Sequence, residues 1–153
     1  MENCPIIKTA TDKNGIVREV RYCDIVPLAP PKLVSFFYKH MAELIDNGFS
    51  GSVVHFHNKC KAVYIEDNGN VVGLIMFEYL PDNRRTFIVL SAVAHEYRGC
   101  GIYSILHEQF EVVSKKLGAT EISSFIHVDN THRLKTAEAH GFLPKWYRMS
   151  KFI

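Results

Sequence analysis

The stretch VAHEYRGCGIY, residues 93–103, joins an apolar run to an amphipathic pattern through two glycines and an arginine. Residues 87–94 are apolar, with several β-branched side chains, which is typical of a buried strand. The apolar residues after the glycines recur at helical spacing, at Ile102, Leu106, Phe110, Val113 and Leu117. Backbone N–H groups of a glycine-rich turn and of a helix N-terminus suit an anion. The stretch therefore predicts a phosphate-binding loop that carries Arg98, and a tight turn without a ligand is the alternative.

The glycine spacing excludes two common nucleotide-binding motifs. A dinucleotide fingerprint, GxGxxG, would need a third glycine at Ser104. The GKS or GKT triplet of nucleotide triphosphatases does not occur in the chain. Neither class of protein is therefore expected.

The loop and its surroundings resemble the coenzyme A loop of the GCN5-related N-acetyltransferase (GNAT) family, whose pattern is Q/R-x-x-G-x-G/A. Arg98 and Gly101 match two of the three specified positions, and Tyr103 stands where the family has glycine or alanine. The family also has an asparagine followed eleven positions later by a Gly-Phe pair, and Asn130 with residues 141–142 reproduces that spacing. The resemblance implies an α+β, GNAT-like acyl-CoA N-acyltransferase fold, with a mixed central sheet flanked by helices.

The resemblance extends over residues 60–153 and implies a cosubstrate, acetyl-coenzyme A. It assigns the pantetheine arm to the main chain of Ser91, Ala92 and Val93. It assigns the diphosphate to the loop residues Arg98, Gly99, Cys100, Gly101, Ile102 and Tyr103. Asn130 is assigned to the other side of the arm, and a helix N-cap is its alternative role. Arg133, at a small-residue position of the family, is placed within reach of the coenzyme phosphates, with a solvated helix residue as the alternative.

The family reaction implies transfer of an acetyl group to a primary amine, on a small molecule or on a protein lysine or N-terminus. A base must remove the proton of that amine, but residues 86–94 lack the carboxylate that many family members carry there. The candidate bases are Glu78 and His127, and a half-buried strand histidine is the alternative for His127. Ala137 replaces the tyrosine that the family often uses as the acid. These departures favour a second hypothesis, an inactive GNAT-fold module that binds coenzyme A or a partner protein.

Length, composition and charge indicate how many domains the chain forms and which kinds of partner it is expected to have. A chain of 153 residues with 47% hydrophobic residues is expected to form a single domain over residues 1–153. The net charge of only +2 indicates no extended basic surface for nucleic acid. No apolar run is long enough to cross a bilayer, and four cysteines without CxxC spacing predict a reduced, cytoplasmic setting. A homodimer is left open, and the length and the YRM ending resemble small acetyltransferases of phages and mobile elements.

One cluster suggests a metal but does not predict one. His55, His57 and Cys60 are close in sequence, yet alternate histidines are more typical of a solvated strand face. No metal site is therefore expected.

Periodicity and turn residues give the order of the elements. A helix is predicted to begin at the Pro30-Pro31 pair and to end at Asn47-Gly48. Further helices are predicted at residues 102–117 and 130–140. Because a helical crossover joins them, the strands on either side of the second helix are expected to be parallel if they are neighbours. The predicted strands are residues 15–22, 52–57, 62–66, 71–80, 87–94, 121–128 and 145–152.

Overall fold

A mixed sheet forms the centre of the protein in the computed structural model, which describes residues 3–50 and 59–153. Within those ranges the sheet has six strands that lie side by side in chain order. Adjacent strands are antiparallel except for the last pair, β5 and β6, which are parallel as predicted. The strands are β1 (Ile6–Thr11), β2 (Val17–Cys23), β3 (Cys60–Asp67), β4 (Asn70–Leu80), β5 (Arg85–Val93) and β6 (Glu121–Ser124). This architecture confirms the predicted fold class.

Two long helices cover the two faces of the sheet, and a shorter helix follows β6. Helix α1 (Pro31–Asp46) buries an apolar stripe on one face, where Phe37 packs in a cluster with Met76 and Leu90. Helix α2 (Ile102–Leu117) buries its stripe on the other face, where the Phe110 ring packs tilted against that of Phe77 with ring centroids 4.7 Å apart. Helix α3 is Thr131–Ala139. The positions predicted for all three helices agree with the structure to within one or two residues.

A buried carboxylate organises the turn between β1 and β2. The Asp12 carboxylate accepts hydrogen bonds from the Asn14 N–H at 2.8 Å and the Ile16 N–H at 3.0 Å. Its other oxygen accepts from Nε of Arg18 at 3.0 Å, and both side chains are almost fully shielded from solvent. Burial raises the pKa of Asp12, but these three hydrogen bonds outweigh it and hold the pKa below its ordinary value.

The same turn supports the glycine loop. The Lys13 N–H donates to the Cys100 carbonyl at 2.9 Å. Arg18 also pairs with Asp67 at 3.2 Å, and Asp67 accepts a hydrogen bond of 2.6 Å from the Tyr97 hydroxyl. The residues flanking the predicted phosphate loop are thus tied to the hairpin at the far edge of the sheet.

We predict that Asp12→Asn lowers the free energy of unfolding at neutral pH. The free energy of unfolding of the variant is also expected to change less than that of wild type as the pH is lowered. The pKa of Asp12 is lower in the folded state than in the unfolded chain, where it is about 3.8. The Asp12 carboxylate therefore contributes fully to the free energy of unfolding above pH 3.8, and this contribution is lost as the pH falls through the pKa of the folded state. Urea unfolding of wild type and variant across this acid range measures the difference. Asp129→Asn is the control, since that side chain is 80% exposed. Equal acid dependence in wild type and Asp12→Asn would contradict the prediction.

Strand β1 is not among the predicted strands, and the first predicted strand, residues 15–22, starts two residues before β2 does. Gly15 belongs to the turn, where its φ is +77°, and β2 begins at Val17. The Asn14-Gly15 pair is a strong hairpin signal, and reading it as a turn would have placed a strand before it. The side chains of β1 are mostly exposed, so its apolar pattern is weak.

Two predictions near the C-terminus are wrong. The strand predicted at residues 121–128 ends at Ser124, because its partner β5 bulges and the two strands part there. Residues 145–152 form no strand, because no backbone ladder holds them to the sheet. The Lys145 ammonium lies 3.5 Å from the Glu121 carboxylate, while Trp146 and Phe152 are 85% and 97% exposed. The strand predicted at residues 52–57 lies outside the described residues.

Candidate functional site

The glycine loop opens directly onto the N-terminus of α2. Gly99 and Gly101 have φ values of +78° and +86°, which side chains rarely adopt. No side chain caps the helix, and its first turn carries no acidic residue. The N–H groups of that turn therefore have no intrahelical partner and suit an anion. Arg98 adds its charge beside them, and its Nε donates to the Val93 carbonyl at 3.2 Å.

Close packing fixes the position of this helix end. A Cβ atom at Gly73 of β4 would lie 2.8 Å from side-chain carbons of both Ile102 and Leu106, so only glycine lets α2 lie this close to the sheet. A Cβ atom at Gly101 would lie 3.1 Å from Cγ of Lys13. Gly73 was not singled out from sequence, although a glycine inside a strand pattern is a known sign of close approach. The loop geometry is thus set from β4 on one side and from the β1–β2 turn on the other.

A bulge in β5 opens a cleft beside the loop. Met76 and Phe77 of β4 pair with Leu90 and Ile88, so Val89 is the extra residue on β5. The pairing with β6 ends at Ile88, and beyond it β5 has no strand partner on that side among the described residues. A cavity of about 90 Å³ lies where the strands part. Its lining comprises Leu44, Phe49, Ile88, Val89, Leu90, Ser91, Ser124, Phe125, Ile126, His127, Asn130 and Arg133.

The bulge also changes which side chains face α2. Ile88 packs in the cluster beneath α2, whereas Leu90 packs in the cluster beneath α1. After the bulge, Ser91 lies beside the Tyr103 phenol, and Val93 packs on the α2 face. The free main-chain edge of residues 91–93 therefore borders the cleft and leads to the loop. Backbone groups left unpaired in this way can bind an extended, amide-bearing ligand.

Asn130 closes the opposite side of the cleft. Its Oδ1 accepts a hydrogen bond from the Arg133 N–H at 3.3 Å, so it is the N-cap of α3. It also lines the cavity. The predicted role as helix cap is therefore confirmed, and the contact of Asn130 with the pantetheine arm stays a prediction.

The two candidate bases lie in different places. His127 lines the cleft in the segment after β6, and its ring lies 5.8 Å from that of Phe49. Its Nδ1 accepts a hydrogen bond from the Asp129 N–H at 3.2 Å, which leaves the proton of the neutral ring on Nε2. Glu78 sits opposite Phe87 in the sheet and is not part of the cleft lining. Of the two, only His127 is positioned to meet a ligand in the cleft.

Helix α3 packs on α2 through a cluster of rings. The Tyr103 ring lies edge-on to His140 at 5.1 Å, and His140 lies 4.6 Å from His107. Burial lowers the pKa of His107 to about 4, and the neighbouring His140 lowers it in the same direction. His107 is therefore neutral at physiological pH and acts as a packing residue. Tyr103 turns its ring towards α3, which leaves the loop beside it uncovered.

Other potential sites in the described residues are few. A larger cavity of about 390 Å³ borders the start of α1 and shares no lining residue with the cleft. Within residues 3–50 and 59–153, no group of three potential metal ligands converges, while His55 and His57 lie outside these ranges. No helix in the described part of the chain is both long enough and apolar enough to cross a membrane.

The comparison with protein families identifies the class that this fold and cleft define. Residues 28–142 match the Acetyltransferase (GNAT) family, so the chain belongs to that family. The family uses acetyl-coenzyme A as its acetyl donor. The matched range contains the loop, the cleft and α3, and the resemblance read from the loop is confirmed.

Three individual proteins to which the chain is similar share 13% to 31% sequence identity with it. The chain is 31% identical over 91 residues to a candidate phosphinothricin acetyltransferase, YwnH, of Bacillus subtilis (strain 168), and the match covers 56% of each chain. Similar solved structures include an aminoglycoside acetyltransferase from an uncultured soil sample in complex with sisomicin, with TM-score 0.67, 13% identity and coverage of 89% and 95% of the two chains. Another is AAC(6')-Iy with a coenzyme A bisubstrate analogue, with TM-score 0.51, 16% identity and coverage of 62% and 72%. These structural likenesses show the shared fold.

Proposed function

We propose that this chain is an N-acetyltransferase that moves the acetyl group of acetyl-coenzyme A to a primary amine of a small molecule. The observation that carries the proposal is the uncapped N-terminus of α2, which lies beside a cleft with a free strand edge. Phosphinothricin and sisomicin, which the names of two similar proteins mention, both carry primary amines. That shared chemistry favours a small-molecule amine over a protein lysine or N-terminus.

The residues of the loop fit the coenzyme. The free N–H groups of residues 101–104 and the Arg98 guanidinium suit a diphosphate. The free edge of residues 91–93 and Asn130 suit the amides of the pantetheine arm from two sides. When bound, the coenzyme supplies an activated acetyl group as a thioester. In this proposal, a main-chain N–H of the free β5 edge stabilises the negative charge that develops on the thioester carbonyl oxygen.

Proton transfer is the least complete part of the site. Ala137 stands where the family often has the tyrosine that acts as the acid, but a simple thiol has an ordinary pKa of about 8.5 and leaves acceptably as the thiolate. His127 can accept a proton only at Nδ1, after its hydrogen bond from the Asp129 N–H opens. This arrangement is the observation that favours the second candidate, a family member that binds the coenzyme without turnover.

Coenzyme binding and turnover are tested together. At 100 times its dissociation constant, acetyl-coenzyme A is expected to stabilise the fold by about 2.7 kcal/mol, which a thermal unfolding scan resolves. Release of free thiol is then followed with phosphinothricin, sisomicin and a lysine peptide as acceptors. Stabilisation with thiol release from an amine supports the enzyme. Stabilisation without release from any acceptor supports the binding module, and the absence of stabilisation contradicts both.

We predict that His127→Ala lowers turnover by about 100-fold or more, because a positioned base contributes at least that much. Thiol release at saturating acetyl-coenzyme A measures the effect. His132→Ala, a change to an exposed histidine of α3, is the control and is expected to leave turnover unchanged. If His127→Ala behaves like the control, His127 is not the base.

A further inference from the structure

The Arg133 guanidinium is a buried charge with no counter-charge among residues 3–50 and 59–153. Both of its terminal nitrogens are shielded from solvent and have no hydrogen-bond partner among the described residues. An arginine cannot lose its proton in a protein. A shielded guanidinium is therefore stable only with an anion or several oxygen acceptors beside it.

The walls of the cleft do not provide that anion. The lining contains no aspartate or glutamate. Residues 51–58, which follow α1 outside the described ranges, contain no acidic residue in their sequence either. A positively charged group thus borders an acid-free cleft, and this combination selects an anionic ligand over a cationic one.

The guanidinium is held in place by Tyr103. Its Cζ lies 5.2 Å from the centre of the Tyr103 ring, a distance at which a cation is attracted to an aromatic face. The Tyr103 hydroxyl is also buried, and it makes no hydrogen bond of ordinary geometry within the described residues, although Ser91 and Arg133 lie beside it. Tyr103 belongs to the first turn of α2 and Arg133 to the first turn of α3, so the pair spans the gap between the loop and the cleft.

We infer that Arg133 binds an oxyanion of a ligand in the cleft, as a specificity-determining residue held in position by Tyr103. The inference rests on the proposed coenzyme site. The anion has two chemically equivalent sources, the diphosphate of the coenzyme or a carboxylate at the acyl end. A guanidinium suits either group because it offers two parallel N–H donors.

Binding of matched ligands to Arg133→Met separates the two sources. If the diphosphate is the partner, the variant binds coenzyme A about 10- to 100-fold more weakly in calorimetric titration, while its affinity for pantetheine, which has no diphosphate, is unchanged. If a carboxylate is the partner, coenzyme A binding is unchanged and a wild-type preference for malonyl-coenzyme A over acetyl-coenzyme A disappears. Arg148→Met makes the same chemical change at an exposed position of the C-terminal segment. This control is expected to bind coenzyme A, pantetheine, acetyl-coenzyme A and malonyl-coenzyme A with the affinities of wild type.

A second readout separates ligand binding from a structural role. Because the substitution removes an uncompensated buried charge, the ligand-free Arg133→Met variant is expected to unfold at a temperature no lower than wild type. Inorganic pyrophosphate serves as a probe if wild type does not bind coenzyme A, a result that would overturn the proposed function but not this inference. Equal affinities of wild type and Arg133→Met for every probe would overturn the inference. A lower unfolding temperature with equally weakened binding of coenzyme A and pantetheine would also overturn it.

Discussion

Gly101→Asp is expected to abolish the stabilisation of the fold by coenzyme A. Gly101 has a φ of +86° and precedes the first turn of α2, so a carboxylate there would face the position proposed for the diphosphate. Its Cβ would also lie 3.1 Å from Cγ of Lys13, which supports the loop from the β1–β2 turn. The roughly 2.7 kcal/mol expected for wild type at 100 times the dissociation constant should fall to near zero. Thermal unfolding with and without coenzyme A measures the change.

Gly69→Asp provides the matched control for this variant. Gly69 also has a positive φ, +79°, but a Cβ there would meet nothing within 4 Å. The control therefore carries the same backbone strain and charge in a hairpin turn, and it is expected to lose about 1 kcal/mol of stability while keeping the full response to coenzyme A. A normal response in Gly101→Asp, or a lost response in Gly69→Asp, would contradict the assignment of the loop.

Phe110→Ala is expected to have the largest effect on stability. The Phe110 side chain is fully buried and contacts the Phe77 ring where α2 packs against the sheet. Removal of a buried phenylalanine costs about 3–5 kcal/mol, which lowers the unfolding temperature by roughly 6–20 °C for a chain of this size. Denaturant unfolding should show a lower midpoint with an unchanged m-value.

Phe152→Ala tests the same chemical change outside the core. Phe152 is 97% exposed in the C-terminal segment, so its removal is expected to change stability by less than about 0.5 kcal/mol. A small effect of Phe110→Ala, or a large effect of Phe152→Ala, would show that the packing of α2 or the placement of the C-terminal segment is wrong.

The sequence predicts this fold best where one periodic pattern is bounded by clear start and stop signals. Helix α2 begins after Gly101 and ends at Gly118, and between them four of its five predicted apolar positions are buried. The turn between β3 and β4, where Asn68 and Gly69 have φ values of +49° and +79°, is signalled by the Asn-Gly pair itself. The Asn130 cap likewise follows from local chemistry, because a side-chain oxygen is needed there. Such elements depend little on distant parts of the chain.

The site depends on contacts that no local pattern encodes. The bulge at Val89 sets where β5 and β6 part, yet Val89 is an ordinary strand residue in sequence. From sequence, Arg133 is either a residue within reach of the coenzyme phosphates or a solvated helix residue, and only the packing of α3 on α2 shows that its guanidinium is buried over Tyr103. Residues 145–152 fail as a strand for the related reason that a strand needs a paired edge as well as suitable residues.

The most direct test of the coenzyme site is a crystal structure of the complex with coenzyme A. The diphosphate is expected on the N–H groups at the start of α2, with the pantetheine arm along residues 91–93 and beside Asn130. Coenzyme A bound elsewhere, for example in the larger cavity at the start of α1, would contradict the central claim.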